Sequence, residues 1–224
     1  MKILAITDIH GDIGSAEKLR NRAWGEGVDI VVIAGDITGK TMSGFGTLDD
    51  AIKMLKVFHP YPTFFIPGNC DPPSLTEVDS LNNAHCVHGK PRSVQGFYIL
   101  GVGGGVTSPF KTPFEQGEEQ FTETLRTSLT SLKADGKLVF ITHMPPKDTE
   151  LDLVTPLGPH VGSIAVRRFI EQQVPLITVC GHMHERRGVD KVGNTLVLNP
   201  GPASRGFYAF ISLNGMPDIR LGKV

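Results

Sequence analysis

The chain has 224 residues, and hydrophobic residues make up 40% of it, so it can bury a sizeable core and is not expected to be disordered. Its 22 Lys and Arg residues nearly balance its 23 Asp and Glu residues, which gives a net charge of -1. This balance excludes an acidic or basic tail and argues against a nucleic acid as the partner.

Cysteine usage and the start of the chain indicate the compartment. Cys70, Cys86 and Cys180 are far apart and form no CxxC pair, so neither a disulfide framework nor a zinc ribbon is predicted. Asp8 and His10 interrupt the apolar start before it could serve as the core of a signal peptide. No run of about 18 apolar residues follows. We therefore expect a cytoplasmic protein without a membrane partner.

The first part of the chain alternates β-branched runs with helical patterns, which is typical of a largely parallel sheet covered by helices. Strands are predicted at residues 2–7, 29–34 and 63–66, and helices at 15–25 and 48–58, with a glycine-rich loop at 39–46. Residues 84–102 instead resemble short strands with turns at Gly89 and Gly96. Antiparallel pairing and a second sheet are predicted there.

The remaining elements complete an α/β pattern. Apolar residues at helical spacing predict a helix over 115–132, which Gly136 ends ahead of a strand at 138–142. A helix at 161–172 precedes a strand at 176–180, and hairpins are predicted at 188–198 and 207–221. No repeat or linker divides the sequence. Residues 1–224 are therefore predicted to form a single domain with two sheets.

Polar residues that can bind metal ions or transfer protons follow five of the predicted strands. A strand-end Asp is usually a cap and a lone His seldom binds metal, but chance does not readily explain five such groups. Because ligands bind beyond the carboxyl ends of the strands in open α/β sheets, we expect the groups to converge on one crevice. The groups are Asp8-Ile9-His10, Gly35-Asp36, Gly68-Asn69-Cys70-Asp71, His143 and Gly181-His182-Met183-His184.

Two of these groups contain pairs with a spacing of two residues. On an extended backbone, Asp8 and His10 would point the same way, and so would His182 and His184. Such pairs suit the chelation of a metal ion.

Taken in order, the five groups closely resemble the signature of the calcineurin-like metallophosphoesterases, from residue 8 to residue 184. The resemblance implies two facing mixed β-sheets flanked by helices, in a four-layer sandwich with two divalent metal ions between the sheet edges. It also implies phosphoester hydrolysis through attack by a hydroxide that bridges the ions. By the family pattern the metal ligands are Asp8, His10 and His184 for one ion, Asn69, His143 and His182 for the other, and Asp36 as the bridge.

Charge and ligand chemistry agree with this implied site. Two divalent ions outweigh the carboxylates of Asp8 and Asp36 and a bridging hydroxide, which leaves roughly one positive charge for phosphate oxygens. Neutral Asn69 keeps that balance positive. Oxygen and nitrogen ligands without thiolate suit Mn, Fe, Co, Ni or Zn, and we favour manganese.

The third group departs from the family pattern. Most members carry Gly-Asn-His there, with a His that assists the leaving group, whereas this chain has Cys70. A neutral thiol is a weak donor, and loss of a general acid typically costs about 10² to 10⁴ in rate for poor leaving groups. Asp71 should keep the thiol protonated, whereas nearby metal ions would act in the opposite direction. We expect catalytic roles for Asp36, Asn69, Cys70 and Asp71.

His160 is a second candidate for assisting the leaving group. It lies in a Gly- and Pro-rich loop between two of the metal-binding groups, so it could replace the missing His. The alternative is an exposed loop residue without a chemical role. Ser163, just after it, is expected to cap the following helix.

The residues after Asp36 narrow the class of phosphoesterase. Thr38 to Lys40 replace the Asp-Arg-Gly run of the protein Ser/Thr phosphatases, and Gly39 replaces the Tyr ligand of the purple acid phosphatases. The chain resembles the small phosphodiesterase-like members from archaea and bacteria. Without an evident Arg clamp, a singly charged diester is favoured, and monoesters and cyclic nucleotides are further candidates.

Other functions fit the sequence less well. Gly35 to Thr41 resembles a phosphate-binding loop, but it is one residue too short and contains Asp36, so an NTPase is rejected. A catalytically weak or inactive metal-binding scaffold with the same fold is the main alternative, although all seven ligands are present. A nuclease lacks support from the charge balance. The expected partner is a small phosphoester, and the sequence leaves open a homo-oligomer.

Overall fold

The computed structural model describes residues 1–42, 44–132, 137–155 and 158–224. The predicted stop at Gly136 lies outside the described residues, as does Ser43 in the predicted loop at 39–46. No helix within the described ranges is long and apolar enough to cross a membrane.

Two six-stranded sheets face each other. In spatial order the first contains Asp218–Lys223 (β16), Phe207–Ser212 (β15), Lys2–Ile6 (β1), Ile30–Ala34 (β2), Thr63–Ile66 (β5) and Ala84–Cys86 (β6). The second contains Gly188–Val192 (β13), Thr195–Asn199 (β14), Ile177–Val179 (β12), Lys137–Thr142 (β11), Phe97–Val102 (β8) and Arg92–Val94 (β7). Two short ribbons pair Lys40–Thr41 (β3) with Gly44–Phe45 (β4) and Gly105–Val106 (β9) with Glu115–Gln116 (β10).

Helices cover the outer faces of the sheets. The α-helices are Ile13–Glu26 (α1), Leu48–Val57 (α2), Glu118–Ser128 (α3) and Ile164–Gln173 (α4), and short 3₁₀ helices occur at Pro73–Glu77, Leu129–Ser131 and Ala203–Arg205.

Three apolar layers hold the sandwich together. Leu19 of α1 and Met54 of α2 are buried against the first sheet, and Phe121 of α3 and Phe169 of α4 are buried against the second. Between the sheets lies a third layer of buried aliphatic and aromatic side chains. All five residues of β2 are buried, as expected for a strand covered on both faces. The structure thus has the predicted four-layer α/β arrangement.

Side-chain caps set the starts of α1 and α4, and a short strand sets the start of α3. Asp12 accepts a hydrogen bond from the backbone N–H of Ser15, so α1 begins earlier than the predicted residue 15. Ser163 accepts one from the N–H of Val166, which confirms its predicted cap and begins α4 at Ile164 rather than at residue 161. The predicted helix over 115–132 begins only at Glu118, because Glu115–Gln116 forms β10 instead.

The pairing predicted for residues 84–102 is wrong in part. Only β7 and β8 form an antiparallel hairpin, with Gln95 and Gly96 both at positive φ in the turn. β6 pairs with β5 in parallel, and β8 pairs with β11 in parallel. The central strands of each sheet (β1, β2 and β5; β8, β11 and β12) therefore run parallel to one another. Their carboxyl ends can meet at one edge.

The pH dependence of stability tests how His88 is packed. Its Nδ1 accepts the backbone N–H of Gly103 at 2.9 Å, and burial lowers the pKa of the ring from its usual 6.5 to about 4. Between pH 6.5 and pH 4, the His88 ring therefore takes up a proton in the unfolded chain but stays neutral in the folded chain. The contribution of His88 to the free energy of unfolding is fully present above pH 6.5. It falls by up to about 3 kcal/mol as the pH drops towards 4.

The measurement is the free energy of unfolding between pH 4 and pH 7.5, for the parent and for His88→Asn. The Asn oxygen can replace Nδ1 as the acceptor but does not titrate in this range. We expect a shallower decline in the variant. Identical pH profiles would contradict the buried, neutral state of His88.

Candidate metal centre

Loops that follow β1, β2, β5, β11 and β12 meet at one edge of the two facing sheets. Each carries one or more of the polar groups predicted from the sequence. The crevice therefore lies beyond the carboxyl ends of parallel strands, where ligands bind in open α/β folds. The seven predicted metal ligands brought together there are Asp8, His10, Asp36, Asn69, His143, His182 and His184.

One half of this ligand group consists of Asp8, His10 and His184. The Nε2 atoms of His10 and His184 lie 3.0 Å apart, and Asp8 Oδ1 lies 3.3 Å from His184 Nε2 and 3.7 Å from His10 Nε2. One donor atom from each residue falls within 4.8 Å of the other two. Three such atoms can share one ion.

The other half is centred on the side-chain oxygen of Asn69. This Oδ1 lies 2.9 Å from His143 Nε2 and 2.9 Å from His182 Nδ1. The Nδ1 of His143 lies 2.9 Å from the carbonyl oxygen of Ala34, which can only accept, so this nitrogen carries the proton. The Nε2 of His143 is then the atom with a free lone pair, directed into the group.

Asp36 lies between the two halves. Its Oδ1 is 3.5 Å from His143 Nε2, and its Oδ2 is 3.9 Å from His10 Nε2. The backbone N–H of Cys70 donates to Oδ1 at 2.8 Å and fixes the carboxylate in this position. The two oxygens of one side chain thus face different halves of the ligand group.

The backbone carrying these ligands is not extended, contrary to the sequence-based expectation for the pairs spaced by two. Asp8, His10, Asp36 and His182 have φ angles of 54°, 50°, 49° and 67°, in the left-handed region. A non-glycine residue there costs about 1–2 kcal/mol. The side chains still converge, but through tight turns rather than along a strand. Four strained ligands at one edge indicate a functional site.

Glycines allow the turns to pack against each other. Gly35 has a φ of 92°, and a Cβ there would lie 2.6 Å from His143 Nδ1. A Cβ at Gly68 would overlap the Asp36 carboxylate. Any side chain at these two positions would therefore displace a ligand.

The surrounding charges keep several ligands ready to bind a cation. Burial raises the pKa of Asp8, but a hydrogen bond from His184 and the charges of nearby histidines outweigh it and lower the pKa, so Asp8 is ionised. Burial and the neighbouring His143 lower the pKa of His182 to about 4, so its ring is neutral at pH 7. Burial opposes a charge on His143, but Asp36 and Asp8 raise its pKa overall. Because a metal ion at Nε2 needs that nitrogen unprotonated, the raised pKa of His143 should weaken metal binding as the pH falls.

Cys70 lies beside the ligand group, with its Sγ within 4.8 Å of donor atoms of His10 and Asp36. The side-chain amide of Asn69 donates to this sulfur at 3.4 Å. Burial and the charge of Asp36 raise the pKa of the thiol far above its ordinary range.

Asp71 is fully buried and its oxygens face the backbone. They accept hydrogen bonds from the N–H groups of Ile37, Thr38 and Gly68 at 3.0, 2.7 and 2.8 Å, and from the Thr38 hydroxyl at 2.8 Å. The side chain therefore ties the loop after β2 to the loop after β5. These are the loops that present Asp36 and Asn69.

His160 is held by a buried carboxylate outside the group of seven predicted ligands. Its Nδ1 is 2.6 Å from Oδ1 of the buried Asp152, which also accepts the N–H groups of Thr149 and Gly162. Within the described ranges, none of the hydrogen bonds of His160 leads to a predicted metal ligand. The adjacent Val161 lines a cavity that Asn69 and His182 also border.

Two cavities adjoin opposite halves of the ligand group. One, of about 670 Å³, is bounded by Asn69 and His182 and by the loop that runs from β9 to β10. The other, of about 630 Å³, is bounded by His10, Thr38 and the exposed Lys53 of α2. The β9–β10 loop was missed from the sequence. The strand before this loop, β8, ends at the same sheet edge as β11 and could have indicated that the loop belongs to the site. Antiparallel pairing was predicted for β8 instead.

Comparison with known proteins identifies the family. The model of the calcineurin-like phosphoesterase family matches residues 1–186. The uncharacterized protein MJ1162 of Methanocaldococcus jannaschii is 35% identical over 213 residues, which cover 93% of this chain and 91% of that protein. The chain belongs to the calcineurin-like phosphoesterase family, which makes it a metal-dependent phosphoester hydrolase.

Solved structures share the fold. The protein TT1561 of Thermus thermophilus is 22% identical with a TM-score of 0.77, covering 99% of this chain and 98% of that one. A dimetal phosphatase from Danio rerio is 12% identical with a TM-score of 0.64, covering 100% and 95% of the two chains. At these identities the likeness concerns the fold, and it confirms the predicted fold class.

Asp71 provides a test of how the site is built. In Asp71→Asn, one oxygen becomes an NH₂ group that would face backbone N–H donors, so we expect a loss of about 2–3 kcal/mol in the free energy of unfolding. The matched control is Asp49→Asn, at an exposed position in the first turn of α2, which should change stability by less than about 0.5 kcal/mol. Chemical denaturation measures both. Equal stability of the two variants would contradict the bracing role.

Proposed function

We propose that this chain is a dinuclear metal-dependent phosphoesterase that hydrolyses phosphodiesters. The observation that carries the proposal is the position of Asp36, whose two oxygens face two separate sets of nitrogen and oxygen donors. One carboxylate shared by two ligand sets is the arrangement that a two-metal site needs.

The residues present fit two divalent ions. Donor atoms of Asp8, His10 and His184 lie within 4.8 Å of one another, and so do those of Asp8, Asp36 and His143. With ligand distances of about 2.0–2.2 Å, ligands around one ion are separated by roughly 3–4.5 Å. Carboxylate, amide and imidazole donors suit Mn, Fe, Co, Ni or Zn, and we propose manganese for the active form.

The proposed assignment places one ion with Asp8, His10 and His184 and the other with Asn69, His143 and His182, and Asp36 is shared. When bound, such ions activate a water molecule and neutralise the phosphate oxygens. In the hydrolysis, the water oxygen forms a bond to phosphorus while one P–O ester bond breaks. The departing alkoxide takes up a proton, which balances the proton that the water loses on attack, and the products are an alcohol and a phosphomonoester.

The two cavities favour a diester over a monoester. A diester has two organic groups on its phosphorus, and the cavities border different halves of the ligand group, at Asn69 and His182 on one side and at His10 on the other. Among the described residues that line them, Lys53 is the single Lys or Arg. A doubly charged monoester would find few partners there, whereas a singly charged diester needs fewer.

Two side chains, Cys70 and His160, are the candidates for protonating the leaving group. Cys70 takes the position of the usual His, and its thiol stays protonated but donates weakly. His160 is the other candidate from the sequence, but its Nδ1 is hydrogen-bonded to Asp152. We assign Cys70 the contact with the ester, Asp71 a positioning role and His160 no direct role.

Metal replacement tests the proposed function against an inactive scaffold. Metal-stripped protein is incubated separately with Mn, Co, Ni, Zn and Mg and assayed on mono- and diesters. We expect bis(p-nitrophenyl) phosphate to be hydrolysed, with manganese among the best activators. Two bound ions without hydrolysis of any activated ester would favour the scaffold.

Asp36→Asn tests the shared carboxylate. Because it weakens a ligand common to both ions, we expect turnover to fall more than about 100-fold and the metal content to drop below two ions per chain. His10→Ala removes a ligand of one ion and should have a smaller effect. Asp49→Asn serves as the matched control. Normal activity with two ions in Asp36→Asn would show that the dinuclear assignment is wrong.

A series of leaving groups tests the proton donor. Nitrophenolate leaves without a proton, whereas an alkoxide needs one, so we expect rates to fall steeply as the pKa of the leaving alcohol rises. Cys70→His should flatten that dependence, and His160→Ala should not change it. If His160→Ala harms alkyl esters far more than nitrophenyl esters, His160 is the acid instead. A shallow dependence in the parent, unchanged in both variants, would exclude both side chains.

A further inference from the structure

The cavity beside Asn69 and His182 differs in character from the site that it adjoins. Its walls include Val106, Met144 and Val154, together with the exposed ring of Phe110. Its volume of about 670 Å³ is within the range of small-molecule sites. An apolar space of this size is thus continuous with the proposed metal centre.

The single acidic side chain among the described residues of this lining is already bonded. Glu115 accepts hydrogen bonds from the N–H and hydroxyl of Ser108, at 3.1 and 2.7 Å, and from the N–H and hydroxyl of Thr112, both at 2.9 Å. These four bonds occupy the carboxylate and brace the β9–β10 loop. The lining, as far as the structure describes it, holds no Lys or Arg. A charged or strongly polar group would find no ionic partner inside.

The same loop is joined to the metal centre. The backbone N–H of Phe114 donates to the carbonyl oxygen of Asn69 at 3.0 Å, and the N–H of Gly105 donates to the carbonyl oxygen of Phe114 at 2.9 Å. A Cβ at Gly105 would lie 2.8 Å from Asn69 Cβ, so the loop packs directly on this predicted ligand. The apolar wall therefore has a fixed position relative to the place where phosphorus would sit.

We propose that this cavity binds an apolar organic group of the phosphoester, so that the substrates are phosphodiesters with one alkyl or aryl arm. This inference rests on the proposed function, since that function places the phosphate among the seven ligands. The Lys53 cavity, on the His10 side, then takes the second and more polar arm. Phe110 and Val154, at the open side of the apolar cavity, act as specificity-determining residues.

The test measures binding by titration calorimetry of n-alkylphosphonates, from methyl to octyl, to the manganese-loaded protein. The P–C bond is not hydrolysed, so the chain length can be varied without turnover. Burial of each methylene should tighten binding about fourfold, which is about 60-fold from methyl to butyl. The heat capacity change of binding should become more negative with chain length.

Variants at exposed positions keep the test independent of folding. Val154→Asp and Phe110→Ser place polar groups in the cavity wall and should reduce the methyl-to-butyl ratio below about tenfold. Met216→Asp changes an exposed apolar residue outside both cavities and should keep the parent ratio. A parent ratio under about fivefold, or the same ratio in all three variants, would overturn the proposal.

A parallel assay of bis(p-nitrophenyl) phosphate separates the two proposals. If esters are hydrolysed but binding does not depend on chain length, the cavity assignment fails and the phosphodiesterase stands. If binding follows chain length but no ester is hydrolysed with any metal, the enzyme proposal fails and the apolar site stands.

Discussion

The structure depends on how three buried carboxylates are accommodated at one sheet edge. Asp8, Asp36 and Asp71 are each at most 3% exposed. Asp71 is held by backbone N–H groups, yet burial and the charge of Asp36 still raise its pKa. Ion burial costs several kcal/mol unless the charges are compensated. The nearby histidines outweigh burial at Asp8, whereas the pKa of Asp71 stays raised. Divalent cations between Asp8 and Asp36 would supply further compensation, so metal binding should stabilise the fold as well as enable chemistry.

The strain in the backbone follows from the same requirement. Four of the predicted ligands adopt left-handed φ angles, and these sharp turns after the strands aim their side chains at a common point. Rigid parallel strands on two sheets hold those turns, and the Asp71 brace connects two of them. The central apolar layer fixes the sheets against each other, and with them the two halves of the ligand group. Packing far from the site thereby sets the distances within it.

Much of this could be predicted from the sequence, and the failures have physical reasons. The strands β1, β2 and β5 are short apolar runs followed by Asp or Asn, and their type and order were predicted correctly. The polar groups after them were expected to converge, and the structure brings them together. Parallel pairing of β6 and β8 was missed because glycine turns near short strands resemble hairpins locally, whereas long-range pairing decides the register. The apolar cavity was missed with it, since its wall follows β8. Side-chain roles also needed the structure: Asp71 stands next to Cys70, and only its bonds to the loop after β2 distinguish a brace from a catalytic acid.

The most direct test of the central claim is a crystal structure of the manganese-loaded protein with anomalous scattering measured for the metal. The account predicts two peaks about 3.5 to 4 Å apart, with the Asp36 carboxylate between them and Asn69 at one of them. A single peak, or two peaks that do not share Asp36, would contradict it.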